Sequence, residues 1–147
     1  MKDVIEFQLL EYGSDLQKKS IALRYDVLRA PLGLTYTPEQ LAEEAGEIHI
    51  AAMLNGEPVA ILLFKKINER VLKMRQVAVS LSMQNSGIGS KLVLFAEQYA
   101  RQQDFEKIEL HARDAAKDFY LKLNYSIIGD EFIEVGIPHY KMEKKLG

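Results

Sequence analysis

Hydrophobic and polar positions change period several times along the chain, and each change marks an element. Val4, Ile5, Phe7 and Leu9 alternate loosely up to Tyr12, which predicts a first strand ended by Gly13. Leu16, Leu23, Val27 and Leu28 then recur at helical spacing after Ser14 or Asp15 as cap, until Pro31 and Gly33 stop the helix. Thr37-Pro38-Glu39-Gln40 supplies a capping hydroxyl, a first-turn proline and a glutamine that can close a capping box, so a short helix to Ala45 follows, with Gly46 as its stop. Ile48 to Leu54 and Pro58 to Ile67 read as two strands, and Asn55-Gly56 between them offers the two positive-φ positions of a tight hairpin. Ile61-Leu62-Leu63-Phe64 is apolar without alternation, as in a strand covered on both faces. Asn68-Glu69-Arg70 turns the chain into a further strand, Val71 to Val79.

After that strand comes a polar stretch, Gln84-Asn85-Ser86-Gly87-Ile88-Gly89, and then a helical pattern. Ile88, Leu92, Phe95, Ala96 and Tyr99 fall on one face, with Ser90, Lys91, Glu97 and Arg101 turned elsewhere. Lys107 to Arg113 is the next strand; its spacing from Val71–Val79 is that of a strand-helix-strand crossover, which predicts parallel pairing and a right-handed connection. Asp114 can cap a helix carrying Ala116, Phe119, Tyr120 and Leu123 and ending near Asn124. Ser126 to Glu134 and His139 to Leu146 form a final antiparallel pair joined by Gly136-Ile137-Pro138. With no repeats and no linker, residues 1–147 are expected to form one α/β domain with a mixed sheet.

Composition changes this picture mainly by exclusion. A net charge of −2 with no dense basic patch gives no reason to expect a nucleic-acid partner. The absence of cysteine removes disulfides, a thiolate nucleophile and thiolate metal ligands. No histidine or carboxylate cluster has metal spacing, and no Gly-x-Ser-x-Gly elbow is present. Met1-Lys2-Asp3-Val4-Ile5-Glu6-Phe7 carries acids where a signal peptide would be apolar, and no apolar run reaches the ~20 residues of a membrane span. No membrane partner is expected, and a cytoplasmic location is the default expectation.

The polar stretch carries the candidate chemistry. A helix opening on a glycine loop aims unpaired N–H groups and its positive dipole end at one spot, which suits a phosphate. Gly87 and Gly89 let the backbone turn sharply and approach phosphate oxygens. A Walker loop is excluded because Ser90, not glycine, precedes Lys91. A dinucleotide fingerprint is excluded because Leu92 stands where its third glycine belongs. The arrangement Gln-x-x-Gly-x-Gly after a strand ending Val77-Ala78-Val79 resembles the coenzyme A loop of the GNAT family of N-acetyltransferases.

A second stretch, Ala116-x-x-Phe119-Tyr120-x-Lys122-Leu123-Asn124-Tyr125, is similar to that family's Ala-x-x-Phe-Tyr-x-Lys-Leu-Gly-Phe segment. The predicted element order follows the family over nearly the whole chain. Phe132-x-Glu134-x-Gly136-Ile137-Pro138-His139-x-x-Met142 is also similar to a subgroup of small bacterial members.

The resemblance implies the GNAT acyl-CoA N-acyltransferase fold and acetyl transfer from acetyl-CoA to a primary amine of a small-molecule or peptide acceptor, by direct attack in a ternary complex. It implies that the backbone of Val77, Ala78 and Val79 pairs with the pantetheine arm. The amides of Gln84, Asn85, Ser86, Gly87, Ile88, Gly89 and Ser90 would hold the diphosphate. It implies Tyr120 as the acid that protonates the departing sulfur, and places Arg24, Tyr25, Arg29 and Tyr36 among candidate acceptor contacts. A homodimer is compatible with it.

The strand before the loop departs from the family, because residues 71–80 contain no carboxylate to serve as base. His111 is the candidate taken forward, with Glu109, Glu134 and His139 as alternatives. Arg113 stands where many relatives carry an asparagine that contacts the cofactor. Two other readings remain open: a non-catalytic acyl-CoA sensor, and an interaction domain whose glycines serve only the turn.

Overall fold

The computed structural model describes residues 4–147; Met1, Lys2 and Asp3, part of the N-terminal stretch read above against a signal peptide, lie outside the described residues. Among the described residues seven strands hydrogen-bond in the order β1-β2-β3-β4-β5-β7-β6. They are β1 (Ile5–Leu10), β2 (Ile48–Leu54), β3 (Glu57–Lys66), β4 (Val71–Val79), β5 (Lys107–Arg113), β6 (Ser126–Glu134) and β7 (Ile137–Lys145). The α-helices are α1 (Asp15–Arg24), α2 (Pro38–Ala42), α3 (Ile88–Gln102) and α4 (Lys117–Lys122). The mixed α/β sheet expected from the sequence is present.

The chain condenses into two compact units, one holding the chain up to Lys65 with Gln76–Ala96, the other Lys66–Arg75 with Glu97–Gly147. In the first, β1 and β2 are antiparallel, as are β2 and β3. Asn55 and Gly56 take φ of 51° and 78°, the left-handed pair a tight hairpin requires. Ile61 to Phe64 are wholly buried, as the unalternated pattern predicts. Leu10, Ala51, Met53, Ile61, Leu63 and Ala78 form a core on which Leu16, Leu23, Val27 and Leu28 pack. Those four are the helix residues the spacing singled out, although the most buried positions of α1 are polar: Gln17, Ser20 and Arg24.

The helix predicted to run on to Leu28 changes character after Arg24. Tyr25–Arg29 is a π-turn closed by Ala30 N–H to the Tyr25 carbonyl, and Gly33 stops the segment at φ 67°. Thr37 and Gln40 form the expected reciprocal capping box on α2.

In the second unit, β4 and β5 pair in parallel from Val71↔Lys107 to Met74↔Leu110. β7 pairs antiparallel with both β5 and β6. The last strand thus lies inside this part of the sheet, between β5 and β6. The turn joining β6 to β7 is Val135-Gly136, at φ 45° and 74°, and β7 already begins at Ile137. The predicted Gly136-Ile137-Pro138 connection is therefore corrected: a β-branched residue occupies the first left-handed position, where sequence reasoning does not look for one.

Glu97 is corrected as well. It is 1% exposed, accepting a hydrogen bond from Tyr125 Oη at 3.0 Å and one from Lys144 Nζ at 2.9 Å.

Candidate functional site

The loop after β4 has the backbone an anion cradle needs. Gln84 Nε2 donates to the Val79 carbonyl at 3.1 Å, and the Ser86 hydroxyl donates to the Met83 carbonyl, so the loop is tied back on itself. Asn85 and Gly87 adopt φ of 64° and 84°, left-handed positions of the kind from which anion-binding nests are built. A Cβ at Gly87 would meet nothing within 4 Å, so the left-handed backbone rather than crowding calls for glycine. The Gly87 carbonyl accepts from Lys91 N–H at 3.2 Å, which starts the helical ladder. The N–H groups of Ile88, Gly89 and Ser90 precede that bond and have no carbonyl a turn earlier to meet. Ile88 itself is buried, so its side chain anchors α3 and only its amide can serve a ligand. The helix behind the loop is 15 residues long, enough to present a full dipole end. These residues fit a diphosphate.

Val77, Ala78 and Val79 end β4 just before this loop, with the Ala78 side chain buried in the core. Immediately before them Gln76 takes φ 56°, a left-handed conformation inside a strand. Such a position is costly for a non-glycine residue and here coincides with side-chain anchoring. Gln76 Oε1 accepts from Tyr36 Oη at 2.5 Å and from Arg24 Nε at 3.3 Å.

Arg24 in turn is fully buried and forks onto Glu44, with Nη1–Oε1 at 2.9 Å and Nη2–Oε2 at 2.7 Å. Burial opposes its charge, but Glu44 and Tyr36 outweigh that and hold the guanidinium above its ordinary pKa. Of the acceptor candidates, Arg24 therefore has all three guanidinium nitrogens engaged, Tyr25 is exposed, and Tyr36 spends its hydroxyl on Gln76. Arg29 lies over the Tyr36 ring at 4.7 Å. The sequence pointed to Arg24 and Tyr36 but to neither Glu44 nor Gln76, whose roles depend on pairings 20 to 52 residues distant.

In the second unit, α4 ends in a Schellman motif that locates Tyr120. Tyr125 N–H reaches the Tyr120 carbonyl at 3.0 Å, Asn124 N–H reaches that of Leu121 at 3.0 Å, and Asn124 sits at φ 71°. Asparagine tolerates the left-handed site where the resembling segment has glycine, so this departure leaves the turn intact. The apolar contact that accompanies such a motif is Tyr125 against Tyr120, ring centroids 5.7 Å apart. Phe119 packs edge-on to Tyr120 at 5.0 Å. Burial pushes the Tyr120 phenol well above its ordinary pKa, so it keeps its proton. Among the described residues its hydroxyl has no hydrogen-bond partner, a state suited to a proton donor awaiting an acceptor.

His111 Nδ1 lies 3.1 Å from Glu134 Oε1. A carboxylate accepts, so Nδ1 is the nitrogen that carries the hydrogen toward Glu134. The imidazole rests edge-on against Phe132 at 5.0 Å. His139 donates from Nδ1 to the Ile137 carbonyl at 2.8 Å, and its Nε2 is 3.5 Å from Glu134 Oε2. Glu109 faces Lys141 Nζ at 3.7 Å. Of the four base candidates, Glu134 thus lies against both His111 and His139, one carboxylate oxygen toward each, and Glu109 is ion-paired with Lys141.

Among the described residues no group of three or more His, Asp or Glu gathers to hold a metal ion. No helix among them is long and apolar enough to cross a membrane.

Comparison with known proteins bears on the family and the fold. The profile of the acetyltransferase (GNAT) family matches residues 14–125. The uncharacterized protein YyaT of Bacillus subtilis is 31% identical over 98 residues, covering 67% of this chain and 66% of that protein. The chain thus spans just under two thirds of the length of the curated relatives it matches. A candidate N-acetyltransferase of Lactobacillus plantarum superposes with a TM-score of 0.86 at 22% identity, covering 97% of this chain and 98% of that one. A GNAT acetyltransferase of Elizabethkingia anophelis, solved with acetyl-CoA bound, superposes at 0.73 and 16% identity over 98% of this chain and 99% of its own. Likeness at these identities establishes a shared fold.

Proposed function

We propose, from the premise that this chain belongs to the acetyltransferase (GNAT) family, that it transfers an acetyl group from acetyl-CoA to a primary amine in a ternary complex. The observation that carries the reading is the loop of left-handed Asn85 and Gly87 opening onto the free amides of α3, a cradle for the coenzyme's diphosphate. Acetyl-CoA would supply an activated acyl thioester. The chain's own groups do the rest.

The amides from Gln84 to Ser90 hold the diphosphate, and the backbone of Val77, Ala78 and Val79 pairs with the pantetheine arm as an added strand would. A main-chain N–H of that strand stabilises the oxyanion that develops on the carbonyl. His111, held by Glu134, accepts the proton the amine must lose, directly or through water. Tyr120, kept neutral by burial, gives its proton to the leaving sulfur.

Thiol release from acetyl-CoA with a panel of primary amines tests this. The wild type should turn over at least one amine. Tyr120→Phe should lower kcat by about 10²- to 10⁴-fold, the usual worth of a positioned proton donor. Full activity in Tyr120→Phe would remove the acid from the scheme, and binding of acetyl-CoA without turnover of any amine would favour the sensor reading.

A further inference from the structure

Resting on the acetyl-transfer reading, we infer that the acceptor is an amine that also carries a carboxylate, and that Arg29 is the group that selects it. Four observations in the first unit lead there. Arg24 and Arg29 both place their guanidinium carbons over the Tyr36 ring, at 4.8 Å and 4.7 Å. They are five residues apart, and the i→i+5 turn at Tyr25–Arg29 lets both reach one ring, where a regular α-helix would turn them well apart.

The two arginines then differ in what they bind. Arg24 has each of its three guanidinium nitrogens engaged by Glu44 or Gln76. Arg29 is half-buried, and among the described residues its guanidinium meets neither a carboxylate nor any hydrogen-bond acceptor. A planar fork of N–H donors, held over an aromatic ring and lacking an anion, matches the two oxygens of a carboxylate.

The position along β4 separates this site from the coenzyme's phosphates. Tyr36 is bonded to Gln76, the residue immediately before Val77–Val79, whereas the phosphate loop begins beyond Val79. About 10 Å of strand lies between Gln76 and Val79 at the usual rise per residue. Arg29 thus belongs with the part of β4 before Val77, where the thioester arm would finish, and not with the phosphate loop beyond Val79. An acceptor clamped there by its carboxylate is held at one point while its amine remains free to attack.

The test uses matched acceptors that differ only in the carboxylate: histidine and histamine, tyrosine and tyramine, lysine and cadaverine. Thiol release gives kcat and KM for each, and calorimetry follows acetyl-CoA binding in the same preparations. In the wild type the carboxylate member of at least one pair should be preferred by ten-fold or more. Arg29→Gln should raise its KM by about ten- to hundred-fold, the worth of a charge-assisted hydrogen-bonded pair, leave the paired amine unaffected and erase the preference. Arg29→Lys, which keeps the charge and loses the fork, should recover only part.

Equal or better use of the decarboxylated amines, a preference that survives Arg29→Gln, or no turnover of any carboxylate member while acetyl-CoA still binds would each overturn the inference. Failure to bind acetyl-CoA at all would bring down the parent reading first, and this inference with it.

Discussion

Each compact unit contains a buried polar cluster, and the two end differently. In the second unit Glu97 is the buried charge, and Tyr125, Lys144 and Arg101 converge on it; Lys144 is also bonded to the Leu123 carbonyl. Its purpose is internal, tying α3, β7 and the turn after α4 together. In the first unit Arg24 and Glu44 are a buried ion pair, and Gln76 and Tyr36 close around Arg24, but a second arginine leans on the rim without an anion of its own. A cluster that closes on itself serves stability. One that leaves an organised cation at its edge has something left for a ligand.

Breaking the heart of the first cluster should have the largest effect. Glu44→Ala strands a buried guanidinium and should cost about 3–5 kcal/mol, read from urea unfolding. Replacing Arg24 and Glu44 together by Met and Leu should restore much of that loss, because the charges would leave as a pair. A single-variant loss below about 1 kcal/mol would mean that Arg24 reaches water.

The second cluster is probed by alkali. Burial, with Glu97 adding to it, drives the Tyr125 phenol far above its ordinary pKa; burial alone does so for Tyr120. The folded state then holds protons that the unfolded chain releases near pH ~10, so this contribution is fully present below that pH and is lost as pH rises above it. Each such tyrosine should steepen the decline by about 1.4 kcal/mol per pH unit, and Tyr125→Phe should remove its share.

The smallest change is expected at the rim. Arg29→Gln forfeits a cation–π contact worth about 0.5–1 kcal/mol and should barely move the unfolding curve. A loss as large as that from Glu44→Ala would make Arg29 a structural residue and erase the contrast between the clusters.

What could be read along the chain was local. Asn55-Gly56, the Thr37–Gln40 box, the unalternated run of β3 and the polar loop before α3 each declare themselves within a few residues, since turn chemistry and caps act at that range. The Tyr120 segment was legible too, and its geometry now has a cause, a Schellman turn centred on Asn124. What escaped depends on distant pairing or on strain. Nothing near Glu97 announces that a tyrosine 28 residues on will hold it in the interior. Gln76 and Val135 occupy left-handed backbone that their side chains disfavour, so the departure inside β4 and the start of β7 could not be anticipated. The insertion of β7 between β5 and β6 is a choice among registers that local patterns leave open. The pairing of His111 with Glu134 joins β5 to β6 across that arrangement, and no local pattern around either residue announces it.

Titration calorimetry with acetyl-CoA tests the central claim most directly, comparing the wild type with Gly87→Val and using NAD as the control ligand. Micromolar binding of acetyl-CoA, no heat with NAD, and a loss of ten-fold or more in the variant, whose branched side chain opposes the left-handed turn, are the results expected. Equal binding by the variant, or none by the wild type, would contradict the assignment of the loop to the coenzyme.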